Sequence, residues 1–340
     1  YESHERLVGS EMCIRDSCNI KRIVAAVLLL SAISVESAAQ VDAGFTQYME
    51  VPSYYNPAAI GLTDYLRIRG GSRLQWMGIP KAPKTFLANA DMPMKLFGKR
   101  IGVGIVMQQE SMGLYNNLTL GAMGAYKLKI FKGELSIGAR IGLFDESFRG
   151  SEVILPDDND YHQSADDAIP TTDVHGTAFD ISFGIHYTHR LFWAGISATH
   201  INQPTVKMST DGTDAKQYEF QAGCNFYFMG GGNIPIKNTL FELQPSVLVK
   251  TDFIFTTAEI TAKLQYNRFF YGGLAYRYND AVALLLGACF KNFFVGYSYD
   301  YPISDIAKAS SGSHEIWLGY SMKLDLGEKN KHRHKSIRIM

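Results

Sequence analysis

Apolar and polar residues alternate with a period of two in a series of short segments along most of this chain. In one segment the apolar series is Ile101, Val103, Ile105 and Met107, and the residues between them are Gly102, Gly104 and Val106. In another the apolar series is Leu135, Ile137, Ala139, Ile141 and Leu143. A long series of such segments, each of about ten residues, is typical of a transmembrane β-barrel. We therefore expect an all-β fold, a transmembrane antiparallel β-barrel of about 14 strands.

The same alternation predicts which side chains face lipid in two later segments. In the first, the outward series is Phe179, Ile181, Phe183, Ile185 and Tyr187. In the second, the outward series is Tyr218, Phe220, Ala222, Cys224 and Phe226. Asp180 and His186 then face the lumen, and we interpret them as a polar pair in a wet channel. A soluble β-sandwich also has alternating strands, but its strands are usually shorter.

Composition agrees with strands that face lipid. Aromatic residues make up 12% of the chain and charged residues only 19%, and Phe and Tyr gather near the ends of segments, where aromatic girdles meet headgroups. The formal net charge is +0, so charge gives no reason to expect a nucleic-acid partner. No nucleophile elbow, zinc-protease motif or phosphate-binding loop occurs. We expect no catalytic residues, no enzymatic activity, no cofactor and no metal.

Residues 1–39 predict export. The signal has three parts in order, which are Lys21 and Arg22, an apolar run over residues 23–33, and small residues at 37–39. We expect cleavage after Ala39, and we treat residues 1–19 as a spurious leader because they precede the positive region of the signal. A strand barrel behind a secretory signal indicates a bacterial outer membrane.

The connections between predicted strands alternate between short and long. Outer-membrane barrels have short periplasmic turns and long outer loops, so an even number of strands places both termini in the periplasm. The C-terminal tail, residues 327–340, is rich in Lys and Arg. We expect it to be a basic periplasmic tail that binds peptidoglycan or a periplasmic partner.

The longest outer loop, residues 149–175, is acidic. Its run Asp157, Asp158, Asn159 and Asp160 offers oxygen atoms to calcium, but the spacing lacks the glycine and the closing glutamate of an EF-hand loop. A solvated surface loop is the simpler interpretation. We expect no disulfide between Cys224 and Cys289, because non-neighbouring barrel strands hold their Cα atoms too far apart.

Residues 40–62 depart from the alternation and precede the barrel, which we place at residues 63–326. The segment contains two prolines, and Asn56, Pro57 and Gly61 mark turns. Such a segment either folds into the barrel as a plug or lies across the periplasmic rim.

Several motifs resemble the PorP/SprF family of Bacteroidota. Near the N-terminus these are Phe45–Met49, Asn56–Gly61 and Arg73–Ile79. Near the C-terminus they are Tyr297–Tyr301 and the run Gly312, Ser313, His314, Glu315 and Ile316. The resemblance implies a non-enzymatic outer-membrane barrel of the type IX secretion system and its relatives that are linked to gliding motility. It also implies partners, which are components of the secretion machinery and a secreted cargo or adhesin with a C-terminal sorting domain.

A partner would meet apolar side chains on the outer rim. The candidates for partner binding are Trp76, Met77, Ile79, Phe253 and Phe255. The alternative is that these residues form the upper aromatic girdle and contact outer-membrane lipid.

A different function also fits the sequence. Transporters of the FadL type are barrels of similar strand number with an Asn-Pro-Ala sequence in an N-terminal plug, which Asn56, Pro57 and Ala58 resemble. The alternative hypothesis is therefore a transporter of hydrophobic small molecules.

Overall fold

The computed structural model describes residues 42–154, 169–209 and 217–325. The predicted signal peptide, the acidic run at residues 157–160 and the basic tail lie outside these residues. Within the described ranges, no helix is long and apolar enough to cross a membrane.

The described residues form one closed antiparallel sheet, in which β1 pairs with both β2 and β17. Its strands are β1 (Tyr65–Leu74), β2 (Lys84–Leu96), β3 (Lys99–Met112), β4 (Tyr115–Ile130), β5 (Gly133–Arg149), β6 (Asp173–Thr188), β7 (Phe192–Thr199), β8 (Thr205–Ser209), β9 (Gln217–Gln221), β10 (Asn225–Gly232), β11 (Ile234–Pro235), β12 (Phe241–Thr251), β13 (Thr256–Tyr266), β14 (Phe270–Arg277), β15 (Ala281–Phe290), β16 (Phe293–Pro302) and β17 (Ser313–Lys323).

These strands fill 14 positions around the barrel, which confirms the predicted fold class. β7 and β8 share one position, because β6 pairs with β7 over Phe183–Thr188 and with β8 at His175. β9, β10 and β11 share the next position, because β9 pairs with β8 and β10 pairs with β7 on one side and β12 on the other.

At one end of the barrel, several pairs of neighbouring strands are joined by very short turns. Phe131 and Lys132 have φ values of 48° and 62°, and Asn267 and Arg268 have values of 47° and 56°. Two successive residues with positive φ are the mark of a type I′ turn, whose twist matches that of the paired strands. We call this end the short-turn end and the other the long-loop end.

The outward face of the barrel is an apolar belt. Ile105 is 62% exposed, whereas the inward Val106 and Gln108 are 3% and 2% exposed. Phe179 is 53% exposed, and its neighbour Asp180 is fully buried. The predicted facing is therefore confirmed for β3 and β6.

The belt ends before the longest strands do. Toward the long-loop end, the outward residues of three strands become polar, and these are Gln109 and Ser111, Asp145 and Ser147, and His175 and Thr177. Polar side chains do not face the hydrocarbon core of a bilayer. The wall formed by β3–β6 therefore rises above the belt on one side of the barrel.

The predicted facing is wrong for β9. Ala222 is fully buried, and Tyr218 and Phe220 pack against an inner cluster that contains Phe144 and Val206. The polar Glu219 and Gln221 are exposed instead.

The reason lies between β9 and β10. The strand is broken at Gly223 and Cys224, and the break moves the alternation by one residue, so that Asn225 points inward and Phe226 outward. A shift of one residue transfers every side chain to the other face of a strand.

The belt makes a prediction about charge. Ile105→Arg should destabilise the barrel by about 2–4 kcal/mol, because it places a charge on the lipid face near the middle of β3. Gln109→Arg lies on the same face of the same strand but beyond the belt, and should cost about 0–1 kcal/mol. Urea unfolding of both variants in lipid vesicles measures the difference; equal costs would contradict the position of the belt.

Candidate functional site

Residues 42–61 lie inside the barrel, and we call them the plug. They form a 3-10 turn (Tyr48–Glu50) and a one-turn helix α1 (Pro52–Tyr55). Pro52 starts the helix, where its fixed φ suits the first turn and its missing N–H is no loss. Most of these residues are buried against side chains of the barrel wall.

The plug fills the lumen with aromatic side chains. Phe45, Tyr48, Tyr54, Tyr55 and Ile60 are all at most 3% exposed. They belong to one hydrophobic cluster with wall residues that include Leu87, Tyr227, Tyr271, Leu285 and Trp317. The ring of Phe45 meets that of Trp317 edge to face at 5.2 Å. The inside of this barrel is therefore packed at the level of the plug.

Asn56 fastens the plug to the wall where β6 and β7 lie side by side. Its Nδ2 donates to the carbonyl oxygens of Ile185 at 3.0 Å and Ile196 at 3.2 Å. Its Oδ1 accepts from the N–H of Ala58 at 2.9 Å, which closes the turn around Pro57. The wall residue at this point is Gly184. A Cβ atom added to it would lie 2.1 Å from Asn56 Oδ1.

Gly61 ends the plug. Its φ is +56°, a conformation that favours glycine, and its N–H donates to Asp91 Oδ2 at 2.7 Å. Arg67 binds the same oxygen at 3.0 Å. The chain can therefore turn here from the lumen into β1.

A buried group of charged residues holds the start of the plug. We call Thr46, Arg73, Arg277, Asp300 and Glu315 the clamp. The two oxygens of Glu315 accept the backbone N–H groups of Thr46 and Gln47, both at 2.9 Å. The Thr46 hydroxyl donates to Asp300 at 2.7 Å. Glu315 is fully buried, so it acts as a fixed acceptor for the plug backbone.

Two arginines balance the carboxylates of the clamp. Arg73 binds Asp300 at 2.7 Å and Glu315 at 3.0 Å. Arg277 binds Glu259 at 2.8 Å and approaches Asp300 at 3.4 Å. Buried charges are tolerated when they are paired and hydrogen-bonded, and removal of one partner is costly.

The clamp joins sequence motifs from both ends of the chain. Thr46, Arg73, Asp300 and Glu315 each come from a different one of the motifs that carry the family resemblance. The motifs contain Thr46, Arg73, Asp300 and Glu315, but the pattern of the sequence predicted neither their contact with one another nor the part of Arg277. The available signal was a charged residue at an inward position of an apolar strand.

A second polar group lies at the first described residue of the plug. Asp42 accepts from Tyr227 at 2.6 Å and Thr199 at 2.7 Å, and it lies 3.1 Å from Nε2 of His200. Lys250 donates to its backbone oxygen. Burial alone would raise the pKa of the Asp42 carboxyl, but the charges of His200 and Lys250 bring this pKa below its ordinary value.

This group corrects the interpretation of Asp180 and His186. Asp180 does not pair with His186 in a wet channel; it binds Nδ1 of His200 at 2.9 Å and Arg140 at 3.3 Å. His186 stacks on Trp193 instead, with ring centroids 5.9 Å apart. His200 was missed because it lies in the break between β7 and β8, where the alternation stops.

A cavity of about 440 Å³ opens beside the plug at the short-turn end. Its lining contains both polar and apolar residues, and the polar ones include Glu50, Gln244, Lys263 and Gln265. Glu50 and Lys263 form an ion pair at 3.0 Å in this lining.

At the long-loop end, the C-terminal motif also fixes the Trp76 loop. The N–H of Trp76 donates to Ser313 Oγ at 3.0 Å, and that of Met77 donates to the oxygen of Gly312 at 2.8 Å. His314 bonds to the Tyr297 hydroxyl at 2.8 Å. Trp76 and Ile79 are half-buried, and Met77 is 39% exposed.

Phe253 and Phe255 lie in a different loop of the same end. They are 69% and 67% exposed. The ring of Phe253 packs on that of Phe226, with ring centroids 4.9 Å apart. In the described part of the chain, no hydrogen bond or ring contact joins this loop to the Trp76 loop. The five candidate partner-binding residues therefore form two patches.

The contacts of Glu315 with the plug backbone predict that the plug becomes mobile when this side chain is removed. Glu315→Ala removes two acceptors of plug N–H groups and leaves Arg73 with one carboxylate, so we expect a loss of about 3–5 kcal/mol and a mobile plug. Single-channel conductance in planar bilayers should rise. Glu152→Ala is the control, because Glu152 pairs with Lys81 in an exposed position where loss costs about 0–1 kcal/mol. Equal conductance of both variants would show that the clamp does not hold the plug.

The close approach of Asn56 to the wall gives an independent test. Gly184→Ala puts a methyl group where Asn56 lies, so the plug must shift and conductance should rise without loss of charge. Gly124→Ala is the control, because no atom lies within 4 Å of its Cβ position. An unchanged conductance for Gly184→Ala would mean that the plug does not need this contact.

The fold resembles solved outer-membrane barrels. Omp33 of Acinetobacter baumannii is 9% identical with a TM-score of 0.41, and the match covers 78% of this chain and 100% of that one. The toluene transporter TodX of Pseudomonas putida is 10% identical with a TM-score of 0.47, over 85% and 95%. A FadL homologue of Pseudomonas aeruginosa is 10% identical with a TM-score of 0.43, over 79% and 92%.

A comparison with curated proteins finds no match. A comparison with protein families does find a match. Residues 37–320 match the family described as type IX secretion system membrane protein PorP/SprF, a span that includes the plug, the clamp and nearly all of the barrel. This chain, an outer-membrane β-barrel, belongs to the PorP/SprF family.

Proposed function

We propose that this barrel assists the export or surface anchoring of secreted proteins with C-terminal sorting domains, and that it does so without catalysis. The observation that carries the proposal is the clamp, in which four family motifs meet to hold a plug in the lumen. A barrel whose inside is packed is suited to bind partners at its two ends. Membership in a type IX secretion family supports the choice of partner.

The proposed orientation places the short-turn end and both termini in the periplasm. Outer-membrane barrels have their short turns on that side. The cavity at the short-turn end would then face the periplasm, and the basic tail would lie where peptidoglycan and machinery components are found. The raised wall of β3–β6 would stand outside the cell.

The cargo would bind on the outer rim. Met77, Phe253 and Phe255 are exposed apolar residues at the long-loop end, and Trp76 and Ile79 lie beside Met77 in a loop fixed by Gly312 and Ser313. Rigid aromatic anchors lose little conformational entropy when a partner binds.

Transport of hydrophobic small molecules is the alternative function. It would need an apolar passage through the lumen. The plug aromatics and the wall pack against each other in one cluster, which speaks against an open passage in this conformation.

The two functions are separated by purification. The protein is isolated by an affinity tag from gently solubilised outer membranes, and co-purified proteins are identified by mass spectrometry. Recovery of type IX machinery components together with a protein that has a C-terminal sorting domain supports the proposal. A barrel without partners that carries bound fatty acid or lipid would favour the transporter.

Trp76 provides a direct test on the rim. Trp76→Ala should weaken cargo binding about thirtyfold and so lower the amount of cargo retained at the cell surface, since a central aromatic anchor contributes about 2 kcal/mol, and it should leave barrel abundance unchanged. Phe131→Ala is the control, because Phe131 is 85% exposed at the short-turn end. Surface labelling with flow cytometry measures retention, and a parallel fall in barrel abundance would assign Trp76 a folding role instead.

A further inference from the structure

β9 is hydrogen-bonded to a neighbour on one side only, within the part of the chain that the structure describes. Its residues Gln217–Gln221 pair with Ser209–Thr205 of β8. On its other side the next strand is β12, which ends at Thr251, opposite Phe226 of β10. A further strand could therefore lie beside β9, beyond Thr251 in the direction of the long-loop end.

The backbone of β9 presents hydrogen-bonding groups toward that position. The N–H of Ala222 donates to the oxygen of Pro204 at 3.1 Å, so it points toward β8. Backbone groups alternate in direction along a strand. Those of Tyr218 and Phe220 therefore face β8, and those of Gln217, Glu219 and Gln221 face the open edge.

This open edge stands in water rather than in lipid. The outward side chains of the hairpin include Lys207 and Glu219, which pair at 3.6 Å and are 66% and 57% exposed. Charged side chains on the hydrocarbon level of a barrel are destabilising. A lipid or a hydrophobic small molecule is thus a poor match for the edge.

An apolar turn lies where β12 ends, next to the open position beside β9. Asp252 accepts the N–H groups of Ile254 at 2.9 Å and Phe255 at 2.6 Å, which fixes the turn between β12 and β13. Phe253 and Phe255 are each at least 67% exposed on it. The contact of Phe253 with Phe226 places this turn beside the start of β10.

We propose that the open edge of β9 and the apolar turn 253–255 bind one extended segment of a partner protein, which adds a strand to the sheet beside β9. The backbone of an extended segment supplies the alternating donors and acceptors that the edge lacks, at the spacing of about 4.8 Å between neighbouring strands. Apolar side chains of that segment would contact Phe253 and Phe255. The inference rests on the proposed function, because it specifies how the cargo is held on the rim.

The partner used in the test is defined by genetics. Cargo proteins are those whose amount at the cell surface falls when the gene for this barrel is deleted. Surface proteins are compared by mass spectrometry in the deleted and complemented strains. If no protein falls, the proposed function and the inference both fail.

Two substitutions of one residue test the edge. Glu219→Pro removes an N–H that faces the open edge and leaves the bonds to β8 in place, which is the setting in which sheets accept proline. Glu219→Ala removes the same side chain and keeps the N–H. We expect Glu219→Pro to lower cargo retention about tenfold, which corresponds to one or two lost hydrogen bonds, and Glu219→Ala to leave it nearly unchanged. Equal retention in the two variants would overturn strand addition while the deletion phenotype still upheld the proposed function.

Crosslinking provides a second measurement that does not depend on proline. A photoreactive benzoylphenylalanine replaces Gln221 in the full-length protein in its native outer membrane, and the same probe replaces Phe131 at the short-turn end as a control. The expected result is a crosslink from position 221 to one contiguous segment of the cargo. A crosslink to a second copy of this chain, or equal cargo yields at both positions, would overturn the inference.

Discussion

The hydrocarbon of a membrane offers no hydrogen-bond partner to a peptide group, and this constraint determines the rest of the structure. A sheet in lipid must close on itself so that every backbone group is paired. Closure by β1 with β17 satisfies it here. The apolar side chains then face outward and the polar ones inward, which is the reverse of a soluble protein. The inside of the barrel becomes the place where charged groups need partners.

The plug supplies part of that pairing. Inside the lumen, Glu315 is fully buried, and its carboxylate would be costly there without donors. The backbone N–H groups of Thr46 and Gln47 and the guanidinium of Arg73 provide them. Plug and wall therefore complete each other: the wall charges fix the plug, and the plug satisfies the wall charges.

Much of this architecture follows from the sequence, since alternation with a period of two identifies strands, and interruptions of it identify turns and a separate N-terminal segment. The motifs located Asn56, Gly61 and Glu315 without showing what they contact. Arg73 and Asp300 are more than 200 residues apart in the chain, and a period along the sequence carries no information about such pairing across a lumen. The reversed facing of β9 could not be predicted from the sequence either. Apolar and polar residues continue to alternate through Gly223 and Cys224, so the break in the strand leaves no mark in the pattern.

The two interrupted positions of the barrel differ in how their backbone is satisfied. Beside the break between β7 and β8, the Asn202 side chain replaces a strand: it accepts the N–H of Ile181 at 3.0 Å and donates to the oxygen of Phe179 at 2.6 Å. These two residues belong to the apolar belt, where water is absent and a protein group must complete the pairing. β9 lies above the belt, where water can pair with an open edge until a partner replaces it. The same constraint that seals the barrel within lipid thus leaves the edge of β9, beyond the belt, free to bind another strand.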